Sequence, residues 1–178
     1  MVSDKIRASR NGRLFFYFQR ILHAMNTLAH SLNNQMEIIP ANILDLNALR
    51  HLEKVCFPQD AWPLFDLIAV LTFSGIVRLK AVENAQMIGF VAGDPRPSEG
   101  FSWVATIGVL PEYRGKGIGR ALLEACEEQL PTSRIHLSVR ASNEEAIRMY
   151  KFAGYYTIDR WTKYYNDGED AIVMEKLK

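Results

Sequence analysis

Three alternating glycines, Gly115, Gly117 and Gly119, lie between a stretch that reads as a strand and one that reads as a helix. No other stretch limits the possible folds so tightly. Phe101–Leu110 is rich in β-branched and aromatic residues and is followed by Pro111-Glu112-Tyr113. From about Gly117 to Leu130, Leu122, Leu123, Cys126 and Leu130 recur at helical spacing, and Pro131 ends the run. Arg134–Arg140 then reads as a second strand. Strand, turn, helix and strand make a βαβ unit, which predicts two parallel strands joined by a right-handed crossover.

The flanking sequence supplies the other elements. Met36–Ile39 reads as a short strand, and Asn42 as the N-cap of a helix faced by Leu44, Leu46, Leu49, Leu52 and Val55. Phe57-Pro58 ends that helix, and Ala61–Phe73 forms another. Gly75–Glu83 and Gln86–Gly93 form a hairpin about Asn84-Ala85, and Asp94–Gly100, with two prolines, reads as a loop. Asn143–Ala153 is a helix, and Gly154–Asp159 and Ala171–Leu177 are the last strands. The expected architecture is α/β (α+β): a mixed central sheet of about six to seven strands flanked by helices, with an N-terminal helical extension.

The 178 residues suit one such domain. The net charge of +1 gives no argument for nucleic acid. The two cysteines, Cys56 and Cys126, show no disulfide framework and no zinc spacing, so no metal is expected and a cytoplasmic setting fits. No apolar run is long enough to span a membrane. Residues 1–34 stand apart from residues 35–178. They carry five basic residues against Asp4, and Leu14, Phe18, Ile21, Met25, Leu28 and Leu32 form a helical stripe. That stripe suits a membrane surface, a partner or the chain's own domain; Met25 or Met36 as a start would make the segment incidental.

Glycines in this setting let other atoms approach the backbone closely. A helix start presents unpaired N–H groups and partial positive charge, which together suit a pyrophosphate. Arg114 and Lys116 add formal charge at the same place. The dinucleotide pattern G-x-G-x-x-G does not fit, and no carboxylate follows on Arg134–Arg140. The P-loop pattern is absent. The plain structural alternative is a set of glycines that only joins a strand to a helix.

The stretch Val109 to Leu123 resembles the acetyl-CoA signature R/Q-x-x-G-x-G/A of the GCN5-related N-acetyltransferases, carried by Arg114, Gly117 and Gly119. Val139-Arg140-Ala141-Ser142-Asn143, Ala146-Ile147, Tyr150, Gly154-Tyr155, Tyr164-Tyr165 and Glu169–Met174 look more narrowly like the ribosomal-protein-alanine N-acetyltransferase group. The resemblance covers about residues 36–178 and implies acetyl-CoA as acyl donor. It implies that Ile107, Gly108 and Val109 offer strand backbone to the pantetheine arm. Arg114, Gly115, Lys116, Gly117, Ile118 and Gly119 would wrap the pyrophosphate. Asn143 would hydrogen-bond the cofactor arm, and Tyr150 would protonate the leaving thiolate. Tyr164 and Tyr165 would line the acceptor entrance or, in the plainer reading, cover the sheet edge.

Acyl transfer also needs a base, because an ammonium has no lone pair. In the resembled family a glutamate often precedes the R-A-S-N stretch; here Ser138 stands there. Serine cannot act as a carboxylate base, but it can hold a water that relays the proton. Glu83, Asp94, Glu99, Asp60 and His136 are the alternatives, with loop or packing roles as their plainer readings. Cys126 reads as an inert buried thiol, and Trp103 and Trp161 as packing residues. The expected acceptor is a protein N-terminal α-amine, with a small amine or a non-catalytic acyl-CoA-binding module as alternatives. A homodimer stays open.

Overall fold

The computed structural model describes residues 36–178, so the stripe expected in residues 1–34 lies outside the described residues. Seven strands make one sheet: β1 (Glu37–Pro40), β2 (Val77–Glu83), β3 (Gln86–Arg96), β4 (Phe101–Val109), β5 (Arg134–Arg140), β6 (Tyr156–Trp161) and β7 (Ala171–Leu177). Their order is β1-β2-β3-β4-β5-β7-β6. β4 and β5 pair in parallel, as the βαβ reading requires, and every other neighbouring pair is antiparallel. Four helices flank the sheet: α1 (Leu46–Cys56), α2 (Leu64–Thr72), α3 (Ile118–Gln129) and α4 (Glu144–Phe152).

Local chemistry sets several boundaries. Asn42 and Asp45 form a reciprocal capping box on a 3-10 turn that runs into α1. Asn84 and Ala85 both take positive φ, 51° and 62°, the geometry of a tight hairpin. Two expectations change. The face of α1 is not the row expected, because Leu44 is 89 % exposed and Val55 is exposed too, while Leu49, Leu52 and Glu53 are buried. The helix turns that side to Phe90 and Ala92 of β3, and counting leucines alone could not show the phase. The loop expected from Asp94 is also smaller. β3 runs on to Arg96 opposite Phe101, and Pro95 is tolerated there because β2 pairs β3 only as far as Gly93.

Helices cover both faces of the sheet. A Cβ on Gly89 or Gly93 would strike Leu122 or Cys126 of α3 or Leu130 just after it, whereas one on Gly108 would meet Leu52 and Cys56 of α1. The core under α1 and α2 holds Leu49, Leu52, Leu67, Leu71, Phe90 and Leu110. Burial of each such side chain stabilises by about 1.5–3 kcal/mol.

Candidate active site

The parallel pairing of β4 and β5 lasts only two registers, Ser102 opposite Ile135 and Trp103 opposite His136. Beyond that point β4 stays with β3 to Val109, and β5 stays with β7 to Arg140. The strands therefore part and open a cleft in mid-sheet. A register shift against Ala92/Gly93 lies where they separate, and Ala105 is exposed there. The Leu110 N–H bonds Ile88 O of β3 at 2.9 Å. By alternation Gly108 also turns its backbone to β3, leaving Ile107 and Val109 facing the cleft. Gly108 thus serves the close approach of α1, and the cleft edge itself consists of Ile107 and Val109 backbone.

The glycine turn closes the β4 end of this cleft. Gly115 and Gly117 have φ of 73° and 81°, and nothing lies within 4 Å of a Cβ placed on either. Gly117 is the N-cap of α3, and no side chain caps the helix, so its first N–H groups stay open. Gly119 is close-packed, 3.4 Å from Met149 of α4 and 3.7 Å from Val109 at the Cβ position. Arg114 folds back, its Nε donating to Val109 O at 3.0 Å, where the Cys56 thiol also donates at 3.3 Å. Arg114 therefore braces the turn, and the Val109 carbonyl is already engaged. Lys116 lies 4.9 Å over the Tyr113 ring.

α4 supplies the next two residues. The Asn143 Oδ1 accepts from Ala146 N at 3.1 Å as the helix cap, which leaves its amide N–H₂ free to donate. Tyr150 is 5 % exposed, and its hydroxyl bonds no protein group yet is not sealed from solvent. Burial, with Tyr165 nearby, raises its pKa, so the phenol stays protonated through neutral pH.

Ser138 is half-buried on β5, opposite Val173, and bonds no other side chain. His136 is not free to serve as a base through Nε2, which lies 2.7 Å from Glu175 Oε2. Its ring stacks on Phe101 at 4.6 Å. Of the other carboxylates considered, Asp94 and Glu99 pair with Arg96 and Glu83 ends β2 at the hairpin, so only Asp60 comes to this face. Cys126 is buried, and burial pushes its thiol up to about 12, as expected of an inert residue.

The other side of the cleft holds what the sequence did not show. Arg140, the last residue of β5, bonds Asp60 after α1 and Asp167 and Glu169 before β7. Burial works against its charge, but these bonds outweigh it and hold its pKa above the ordinary value. Tyr165 lies beneath the guanidinium at 4.2 Å, and its phenol is pushed up to about 12 by burial and by Tyr164. A run of rings, Trp103, Trp161, Tyr164 and Tyr165, borders the same region at centroid spacings of 5.1–5.8 Å. The two tryptophans pack within this run, and Tyr164 remains exposed.

Glu53 was also missed. It is 1 % exposed, bonds Thr106 Oγ1 at 3.3 Å and Trp62 N at 3.4 Å, and has a pKa raised by burial. Its spacing of four from Leu49 was the available signal. Among the described residues no group of side chains could hold a metal ion, and no helix is long and apolar enough to cross a membrane.

Known proteins match this arrangement. The Acetyltransferase (GNAT) family pattern matches residues 46–155. An N-alpha-acetyltransferase of Sulfurisphaera tokodaii is 29 % identical over 150 residues, covering 75 % of this chain and 88 % of that protein. The catalytic subunit NAA10 of the N-terminal acetyltransferase A complex of Arabidopsis thaliana is 27 % identical, covering 76 % and 74 %. The ribosomal-protein-S18-alanine N-acetyltransferase of Escherichia coli superposes with a TM-score of 0.73 at 28 % identity, covering 80 % of this chain and 94 % of that one. The chain therefore belongs to the acetyltransferase (GNAT) family and is an acyltransferase.

Proposed function

We propose that residues 35–178 form the catalytic domain and transfer an acetyl group from acetyl-CoA to a protein N-terminal α-amine. The observation that carries this reading is the parting of β4 from β5 beside an uncapped helix start. The open N–H groups of the turn take the pyrophosphate, and Lys116 adds charge. The free backbone groups of Ile107 and the Val109 N–H pair with the amides of the pantetheine arm, as another strand would. The Asn143 side-chain N–H donates to the same arm. The thioester then lies near Tyr150, and the acceptor enters between Asp60 and Tyr164–Tyr165.

The amine nitrogen attacks the thioester carbon, the C–N bond forms, and the C–S bond breaks. Tyr150 donates to the departing thiolate. A thiol has an ordinary pKa of about 8.5, well below that of a buried phenol. Tyr150 therefore stabilises the thiolate by hydrogen bond, and solvent delivers the final proton. Ser138 holds the water that takes the amine proton. An α-amine has an ordinary pKa of about 7.7–8.0, so part of it is already neutral at pH 7.5. The relatives' names support the α-amine as acceptor. Ser138, which supplies no carboxylate, favours a second reading in which the acceptor is a small amine of lower pKa. Turnover of acetyl-CoA against peptides with small first residues, lysine side chains and small amines decides between them. Peptide α-amines should react fastest; acetylation of small amines alone would overturn the peptide reading.

A further inference from the structure

Arg140 stands at the mouth of the cleft, where three chain segments meet. Its Nε donates to Asp60 Oδ2 at 2.9 Å, and its Nη2 bonds the same oxygen. Its Nη1 donates to Asp167 Oδ2 at 2.9 Å and to Glu169 Oε2 at 2.6 Å. Asp60 belongs to the loop after α1, and Asp167 and Glu169 to the loop before β7. Backbone bonds already orient the second loop. Glu169 Oε1 accepts from Ser142 N at 2.7 Å, and Asp167 Oδ1 from Glu169 N at 3.1 Å. Asp60 meets Arg140 across 80 residues of sequence and makes no other side-chain bond.

We propose that Arg140 is a positioning residue that ties together the two loops flanking the acceptor, residues 57–63 and 162–170, and so sets how tightly the acceptor peptide binds. This rests on the acetyltransferase reading above for what passes between the loops. A planar guanidinium can engage carboxylates on different sides at once while its face covers Tyr165; a lysine ammonium on a flexible stem cannot. One cation among three carboxylates leaves a net charge of −2 at the entrance, which favours an incoming ammonium. Without Arg140 the three carboxylates repel one another, and the loops are pushed apart.

The test uses the full chain and three readouts. Arg140→Gln should raise the peptide KM by about tenfold or more, the size expected when a networked ion pair is lost. The Kd for acetyl-CoA should stay within about twofold, since the turn is built from other residues. Amide exchange should quicken in both loops together. Adding Asp60→Asn to Arg140→Gln should recover part of the lost KM, because it removes one of the repelling charges. An unchanged peptide KM, an equal change in acetyl-CoA Kd, faster exchange in one loop only, or a double variant worse than the single would each overturn the proposal. Should Arg140→Gln fail to fold, Arg140→Lys replaces it and should show an intermediate KM; a wild-type value would refute the clamp. If the native enzyme acetylates no peptide, the functional reading fails, and the exchange comparison still decides the clamp.

Discussion

The turn at Gly115–Gly119 and the cluster around Arg140 border one cleft but are built in opposite ways. At the turn, side chains are absent or folded away: two glycines have nothing near them, the helix lacks a cap, and Arg114 points back to β4. At Arg140 side chains fill the space, with three carboxylates and a tyrosine ring gathered on one guanidinium. On the reading proposed above, the difference follows from what each would hold. A diphosphate is the same in every cycle, and backbone N–H groups suffice if nothing covers them. An acceptor must be brought to a set position beside the thioester, and that requires rigid walls.

Gly117 is where a substitution should separate the two regions most. Gly117→Glu puts a carboxylate into the proposed anion site at a φ of 81° that L residues rarely adopt. The Kd for acetyl-CoA should rise more than about 100-fold by calorimetry, the cost of a clash plus charge repulsion. Unchanged affinity would falsify the assignment of the turn. Tyr150→Phe comes next. It should lower kcat about 100-fold, within the usual range for a lost hydrogen-bond donor to developing charge, and leave acetyl-CoA affinity nearly unchanged. Equal rates in a stopped-flow assay would remove Tyr150 from the chemistry.

Ser138→Glu sharpens the contrast from the acceptor side. It supplies the missing carboxylate, so kcat/KM near pH 7 should rise about tenfold, and the gain should shrink towards pH 9, where the amine is already neutral. A gain independent of pH would argue against a base-limited step. The smallest effect concerns stability. Hydrogen bonds from Tyr156 and then His136, with Arg134, hold the Glu175 pKa down to about 2. A depressed carboxylate pKa stabilises the fold above the ordinary value of 4.5, and this is lost as pH falls towards 2. Glu175→Gln should therefore lower Tm at pH 7 and flatten its fall below pH 4.5. A parallel fall in both proteins would show that Glu175 does not drive acid unfolding.

Local features were legible in the chain because their parts are close in sequence. Asn42, read as an N-cap, meets Asp45 three residues on, whereas the fold of Arg114 back onto Val109 was not foreseen. The acceptor side was not legible for the opposite reason. Asp60 reads as an ordinary loop acid until β5 brings Arg140 to it, and Glu53 reads as a solvated helix residue until α1 turns it towards Thr106. Gly108 shows the same limit. It reads as a glycine that exposes strand backbone, whereas the register gives it to the packing of α1.

A sheet of about six to seven strands, the βαβ crossover and the glycine turn could be read from the chain alone, because periodicity, turn residues and helix starts are short-range physics. Where β4 and β5 part, which of the four candidate carboxylates reaches the cleft, and that Arg140 pairs with acids on two loops came only with the folded chain. Those depend on register and on pairs many tens of residues apart, and the geometry that joins them exists only once the sheet has formed.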